Sequence, residues 1–172
     1  MRRLLFLFPL VFLFSCQQQQ KAGKSADYYS SLFLPYTDVK VKQQLFIDSS
    51  EMALAKVFAD SSVVINTSAL RSLLDTLEQA CQAGQSILYT IQEMDTSLRY
   101  KSKVLEYIAF SSVASKGEFK EMLNILDTKS LNRYDSIVAF LKPTIEDLKR
   151  RSEECYKTSD AFRTKYQIGD KQ

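Results

Sequence analysis

Apolar side chains recur every three to four residues from Asp27 to Tyr166, and this spacing constrains the fold more than any other feature. Such steps place the side chains on one face of an α-helix, whereas a half-buried strand would alternate. The pattern therefore predicts long helices that bury apolar stripes against each other. The clearest stripe is Tyr134, Val138, Leu141, Ile145, Leu148, Ser152, Cys155, Ser159, Phe162 and Tyr166.

Three earlier segments follow the same period. The first stripe is Leu32, Tyr36, Val39, Gln43, Phe46, Ser50, Ala53 and Val57. The second is Leu70, Leu74, Leu77, Cys81, Gly84, Leu88 and Ile91, with a parallel row at Leu73, Ala80 and Ile87. The third is Leu105, Ile108, Ser112, Ser115, Phe119, Met122 and Leu126. With short polar joins between the segments, we expect helices over about 28–60, 67–94, 98–127 and 130–167.

Short joins force neighbouring helices to run antiparallel, so the predicted fold is all-α, an antiparallel up-down-up-down four-helix bundle. The 4 glycines and 3 prolines are too few for a β fold with many turns. Pro143 interrupts the last stripe and predicts a kink there, because proline cannot donate the helical hydrogen bond. A kinked three-helix arrangement is the alternative.

The N-terminal segment is typical of an export signal. Arg2 and Arg3 precede an apolar run over residues 4–14, which is too short to span a membrane but suits a secretory signal peptide. The run ends in Leu13-Phe14-Ser15-Cys16, which resembles the lipobox of bacterial lipoproteins. That resemblance implies a cleaved signal peptide over 1–15 and fatty acylation, such as palmitate, on Cys16.

A polar stretch follows this cysteine. We expect residues 16–26, which begin Cys16-Gln17-Gln18-Gln19-Gln20, to form a flexible tether between the lipid and a domain over 27–172. The protein would then be anchored in the cell envelope. Gln17 is not the aspartate that retains many lipoproteins in the inner membrane, and no acidic cluster favours the cell surface. We therefore expect the periplasmic face of the outer membrane.

A family resemblance joins these features. The lipobox, the glutamine-rich tether, the aromatic pair Tyr28-Tyr29 and the final Phe162-Arg163-Thr164-Lys165-Tyr166 look like those of small YiiG-like bacterial lipoproteins. These are helical-bundle proteins of largely unknown function. The resemblance implies a fold and an envelope location, and it implies no active site.

Composition argues against several function classes. The chain has no histidine, the commonest general base and metal ligand, so we expect neither enzymatic chemistry, nor a metal, nor another cofactor. Arg2 and Arg3 are two of the 23 basic residues, so the exported part keeps 21 basic against 20 acidic residues. These charges alternate without a basic block, and nucleic-acid binding is therefore not expected.

One candidate pocket emerges from residue counting along the predicted bundle. At 1.5 Å per residue, Gln43, Gly84, Ser112 or Ser115, and Ser152 fall about 20–25 Å above the tethered end, below which tyrosines accumulate. A layer of small or polar residues over a tyrosine-rich half would leave room for a ligand. The alternative is close helix packing with tyrosine hydroxyls at the solvent edge. The candidate pocket residues are Tyr36, Gln43, Gly84, Tyr107, Ser112, Ser152 and Tyr156.

Cys81 and Cys155 remain after anchoring. Counting places them about 20 and 37 Å from the common start of their helices, farther apart than a disulfide can bridge. We therefore expect two free, buried thiols; the alternative is a disulfide, which an even pair of cysteines in an exported protein would suggest.

Two functional hypotheses follow. The first is a non-enzymatic, lipid-anchored helical module that binds another envelope protein or polymer through a helix face. The alternative is a small-molecule or lipid binder that uses the tyrosine-rich pocket. An enzyme ranks third, because it would have to work with carboxylates and tyrosines alone.

Overall fold

The computed structural model describes the backbone of residues 8–60, 63–128 and 134–169, and the side chains of 23–60, 63–128 and 136–169. Throughout these ranges the regular structure is helical, so the predicted all-α class is confirmed and the helices pack as a bundle. The elements are α1 (Phe8–Ala59), α2 (Ser68–Thr90), α3 (Tyr100–Ala114), a π-helical turn (Ser115–Phe119), α4 (Lys120–Thr128) and α5 (Tyr134–Tyr166).

The first helix begins earlier than its stripe of buried residues predicts. α1 starts at Phe8 and includes 16–26, where we expect a tether, and Ser25 is already buried. Residues 1–7 and the side chain of Cys16 lie outside the described parts, so the signal peptide and the lipid anchor stay predictions. No helix in the described ranges combines the length and apolar character needed to cross a membrane.

The predicted stripes supply most of the core. α1 packs against α2, α3 and α5, and α3 packs against α1, α2 and α5. At one end of the bundle, rings from α1, α3 and α5 form an aromatic cluster. Tyr29 stacks on Tyr100 with ring centroids 5.9 Å apart, and Phe162 lies 5.6 Å from Tyr100. We call this the aromatic end, and its rings are Tyr28, Tyr29, Phe33, Tyr100, Phe162 and Tyr166.

The loop from α2 to α3 is fixed by two carboxylates, Glu93 and Asp95. Glu93 accepts hydrogen bonds from the backbone N–H groups of Lys101 and Ser102, at 3.1 and 2.9 Å, and so caps the first turn of α3. Arg99, which precedes that turn, has a φ of 55° and supplies no side-chain cap. Because Glu93 also accepts from the Tyr28 hydroxyl at 2.7 Å, the start of α3 is tied to α1.

The second half of the bundle contains two helix irregularities. The π-helical turn adds a residue between α3 and α4 around Gly117, and it brings Phe119 against Phe46 with ring centroids 4.9 Å apart. α5 continues through Pro143, and its buried face before that proline includes Ile137. Val138, predicted to be buried, is 48% exposed. That part of the α5 stripe was therefore predicted one residue out of phase.

Candidate functional site

The structure places four of the seven predicted pocket residues in two hydrogen-bonded groups. The Tyr36 hydroxyl lies 2.9 Å from the Ser152 hydroxyl and donates to the Ser152 carbonyl at 3.1 Å. Tyr107 and Ser111 both donate to the Gln43 side-chain oxygen, at 3.1 and 2.8 Å. The polar groups in this part of the core are therefore satisfied within the protein.

These groups do not share the single level that residue counting predicts. Gly84 lies beside Pro35 and Ile108, at the height of Tyr36 and Ser152. Gln43 lies two turns farther along α1. For Gly84 the error has a physical origin: α2 ends at Thr90 rather than at 94, so counting back from the predicted end places Gly84 too far from the tethered end.

Two other predicted pocket residues, Ser112 and Tyr156, lie outside both hydrogen-bonded groups. Ser112 is buried in α3, next to the Ser111 that bonds Gln43. Tyr156 is 63% exposed and lies on the outer side of α5, away from Tyr36 and Tyr107. Burial raises the pKa of the Tyr107 hydroxyl, with a further contribution from nearby Tyr36, so this tyrosine is not prepared for acid–base chemistry at neutral pH.

The two cysteines are free and buried, which confirms the expectation of two separate thiols. The Cys155 thiol donates to the Lys103 carbonyl at 3.0 Å. Burial raises the pKa of both Cys81 and Cys155 to about 12, so neither thiol is ionised or nucleophilic at neutral pH.

A buried carboxylate closes the aromatic end. Asp95 accepts hydrogen bonds from the Ser97 hydroxyl and N–H at 2.6 and 3.0 Å, and from the Tyr166 hydroxyl at 3.1 Å. The Lys165 ammonium contacts the same carboxylate and, with Ser97, holds its pKa well below the usual range. These contacts join the α2–α3 loop to the end of α5, which gives Asp95 a structural role. No group of three or more potential metal ligands occurs in the described part of the chain.

Sequence reasoning missed an apolar stripe on the outside of α1. Four side chains on this face are more than half exposed: Leu34, Val41, Leu45 and Met52. With Asp38 and Asp48 they recur at alternating intervals of four and three residues, the spacing of a helix-packing seam. We call these six residues the outer seam. The signal is present in the sequence, but α1 carries two apolar faces and the predicted stripe covers only the buried one.

The structure also contains an apolar groove between α1 and α5, with its floor on the π-helical turn and α4. The α1–α5 groove has a volume of about 410 Å³. Its apolar lining includes Phe46, Ile47, Leu54, Phe119, Met122 and Leu141. Ser50 lies in its wall, and charged residues lie around its edge.

Comparisons with protein-family models, with curated proteins and with solved structures gave no match. The functional argument therefore rests on the residues of this chain.

Proposed function

We propose that this protein is a non-enzymatic, lipid-anchored interaction module of the cell envelope, which binds an α-helix of a partner protein through the outer seam of α1. Its anchor would be Cys16, in a sequence that resembles a lipobox, at the periplasmic face of the outer membrane. The proposed fold and envelope location are those that the resemblance to YiiG-like lipoproteins implies. The observation that carries the proposal is the row of exposed apolar side chains on a helix whose opposite face is buried against the other helices.

The proposed scaffold is an up-down-up-down bundle. In support, contacts from Tyr28 to Tyr36 meet α5 in reverse order, at Phe162 and then at Ser152. The same stretch of α1 meets α3 in forward order, since Tyr29 contacts Tyr100 and Tyr36 contacts Tyr107. Along α2 and the loop that follows it the order is reversed again, with Gly84 of α2 near Pro35 and Glu93 of the loop bonded to Tyr28.

The outer seam has the length and spacing of a helix-binding surface. From Leu34 to Met52 it extends about 27 Å, which is five helical turns. Ile87 of α2 is partly exposed and lines a shallow depression with Leu34, so the apolar surface continues onto α2. Exposed apolar side chains grouped on one face are a pattern that marks interaction sites, whereas scattered single ones do not.

The charges on the outer seam favour a partner other than a second copy. In an antiparallel pairing of two α1 seams centred near residue 43, Asp38 would face Asp48 of the other chain. In a parallel pairing each aspartate would face its own copy. Like charges at seam positions are unfavourable in both cases. Asp38 already pairs with Lys42 of its own helix, whereas Asp48 has no ion pair within the described part of the chain. We therefore propose a partner helix with an apolar seam and a lysine or arginine opposite Asp48.

A site-specific cross-link tests this proposal. A photoreactive amino acid is placed at Val41 in the full chain, and the matched control carries it at Val113, which is 64% exposed on α3. We expect a heterologous adduct from position 41 alone, mapped by mass spectrometry to a segment with helical apolar spacing and basic residues. Leu45→Asp in the same chain should remove it, because the charge would enter the apolar contact.

Three results would overturn the proposal: cross-linking of two copies of this chain, equal adducts from positions 41 and 113, or an adduct that survives Leu45→Asp. The alternative hypothesis, a ligand among the tyrosines, has less support because the Tyr36 and Tyr107 hydroxyls already have protein partners. The Tyr100 hydroxyl has no partner in the described part of the chain, but its ring is fully buried against Tyr29 and Phe162.

A further inference from the structure

The α1–α5 groove contains a buried hydroxyl without a partner. Ser50 is 4% exposed, and its Oγ atom has no hydrogen-bond partner in the described part of the chain. A buried hydroxyl left unsatisfied is destabilising, and such groups are uncommon in native cores. Its position in the wall of an otherwise apolar groove means that a molecule in the groove could supply the missing partner.

The groove is too small for a partner helix. A helix 10 Å in diameter fills roughly 420 Å³ in each 5.4 Å turn, so the groove of about 410 Å³ would hold a single turn. Small-molecule sites start at about 300 Å³ and are mainly apolar with a few polar groups. One extended hydrocarbon chain fits both the size and the lining.

Charges of both signs surround the apolar lining. Lys142 and Lys149 lie at the edge of the groove on the α5 side, together with Glu146, and Glu51 lies at the edge on α1. None of the four forms an ion pair within the part of the chain that the structure describes. Two cations and two anions without partners complement a head group that itself carries both charges.

We infer that the α1–α5 groove binds a monoacyl phospholipid with a zwitterionic, phosphoethanolamine-type head group. The acyl chain would lie against Phe46, Phe119 and Met122, and the Ser50 hydroxyl would donate to the ester carbonyl. One of the two lysines, which are about 10 Å apart along α5 with Glu146 between them, would contact the phosphate, and Glu146 or Glu51 would contact the ammonium group. This site lies on a different face of α1 from the outer seam, so the inference does not depend on the proposed function.

The test uses the absence of tryptophan from the chain. Val138→Trp places a fluorescent reporter at the groove, and Val113→Trp is the matched control on an exposed site elsewhere. The full chain is titrated below the micelle concentration with a monoacyl phosphoethanolamine, with the free fatty acid of the same chain, and with glycerophosphoethanolamine. We expect a saturable blue shift for the first ligand at position 138 alone, and at least tenfold weaker binding of the other two.

Ser50→Ala separates a binding role from a structural one. Removing an unsatisfied hydroxyl should raise the melting temperature of the ligand-free protein, while binding of the monoacyl lipid weakens about tenfold because one hydrogen bond is lost. The control is Ser115→Ala. That hydroxyl is buried outside the groove and donates to the Ser112 carbonyl, so its loss should lower the melting temperature without changing binding. Lipid-induced thermal shifts of chains without the reporter give the same comparison if Val138→Trp fails to fold.

The inference is overturned if no saturable binding occurs, or if Ser50→Ala binds the lipid as well as the wild type. The second outcome would leave Ser50 as the site of an ordered water. Tighter binding of the fatty acid than of the zwitterionic lipid would overturn the assigned ligand class. None of these outcomes involves the cross-link at Val41, so the two proposals can fail separately.

Discussion

Asparagine in place of Asp95 tests whether the aromatic end is held by a buried carboxylate. In Asp95→Asn the remaining oxygen still accepts from Ser97 and Leu98, but the new amide group faces two donors, Lys165 and the Tyr166 hydroxyl. A hydrogen bond to a charged group contributes about 1.5–3 kcal/mol. The Lys165 ion pair adds little to this, because the lysine is half exposed and solvent screens its charge.

The expected loss is therefore about 1.5–3 kcal/mol, or roughly 3–12 °C in melting temperature for a domain of this size. Thermal and urea unfolding of the full chain, followed by far-ultraviolet circular dichroism, measures it. Asp38→Asn is the matched control, because Asp38 pairs with Lys42 on the surface at 2.8 Å and such pairs contribute about 0.3–0.5 kcal/mol.

The pH dependence provides a second, independent check. Lys165 and Ser97 lower the pKa of Asp95 in the folded protein, whereas an aspartate in the unfolded chain has a pKa of about 3.9. The stabilisation is thus fully present above the unfolded value and is lost as the pH falls through the folded value. The gap between wild type and Asp95→Asn should be constant from about pH 8 to pH 5 and should narrow below about pH 4. An unchanged stability at pH 7, or a gap that does not respond to acid, would refute the proposed role.

Two further predictions concern the core. In Gly84→Val, a Cβ atom would lie 3.0 Å from the Ile108 Cδ1 atom and 3.5 Å from the Pro35 Cβ atom, so we expect a loss of about 1–3 kcal/mol by urea unfolding. Gly117→Ala meets open space and should not destabilise; equal effects of the two would contradict the close approach of α2. Cys81 and Cys155 should react with a thiol reagent at pH 8 only after unfolding, because burial raises their pKa to about 12. Rapid labelling of either native thiol would contradict this burial.

The outer seam and the groove illustrate what sequence reasoning could and could not find. Leu34, Val41, Leu45 and Met52 recur at helical spacing, but so do the residues that α1 buries, and the sequence does not rank the two faces. Ser50 was placed correctly on the buried stripe. That its hydroxyl lacks a partner depends on the neighbours that α4 and α5 bring to it.

The sequence by itself determined the helical class and most of the buried stripes, because the helical period is a local property that each segment carries alone. Tertiary structure decided the heights of residues on different helices. Those heights depend on where each helix begins and ends. Glu93 fixes the beginning of α3, because it accepts hydrogen bonds from N–H groups eight and nine residues away and also from the Tyr28 hydroxyl. The observed end of α2 likewise explains why Gln43 and Gly84 lie at different heights, although residue counting predicts the same height for both.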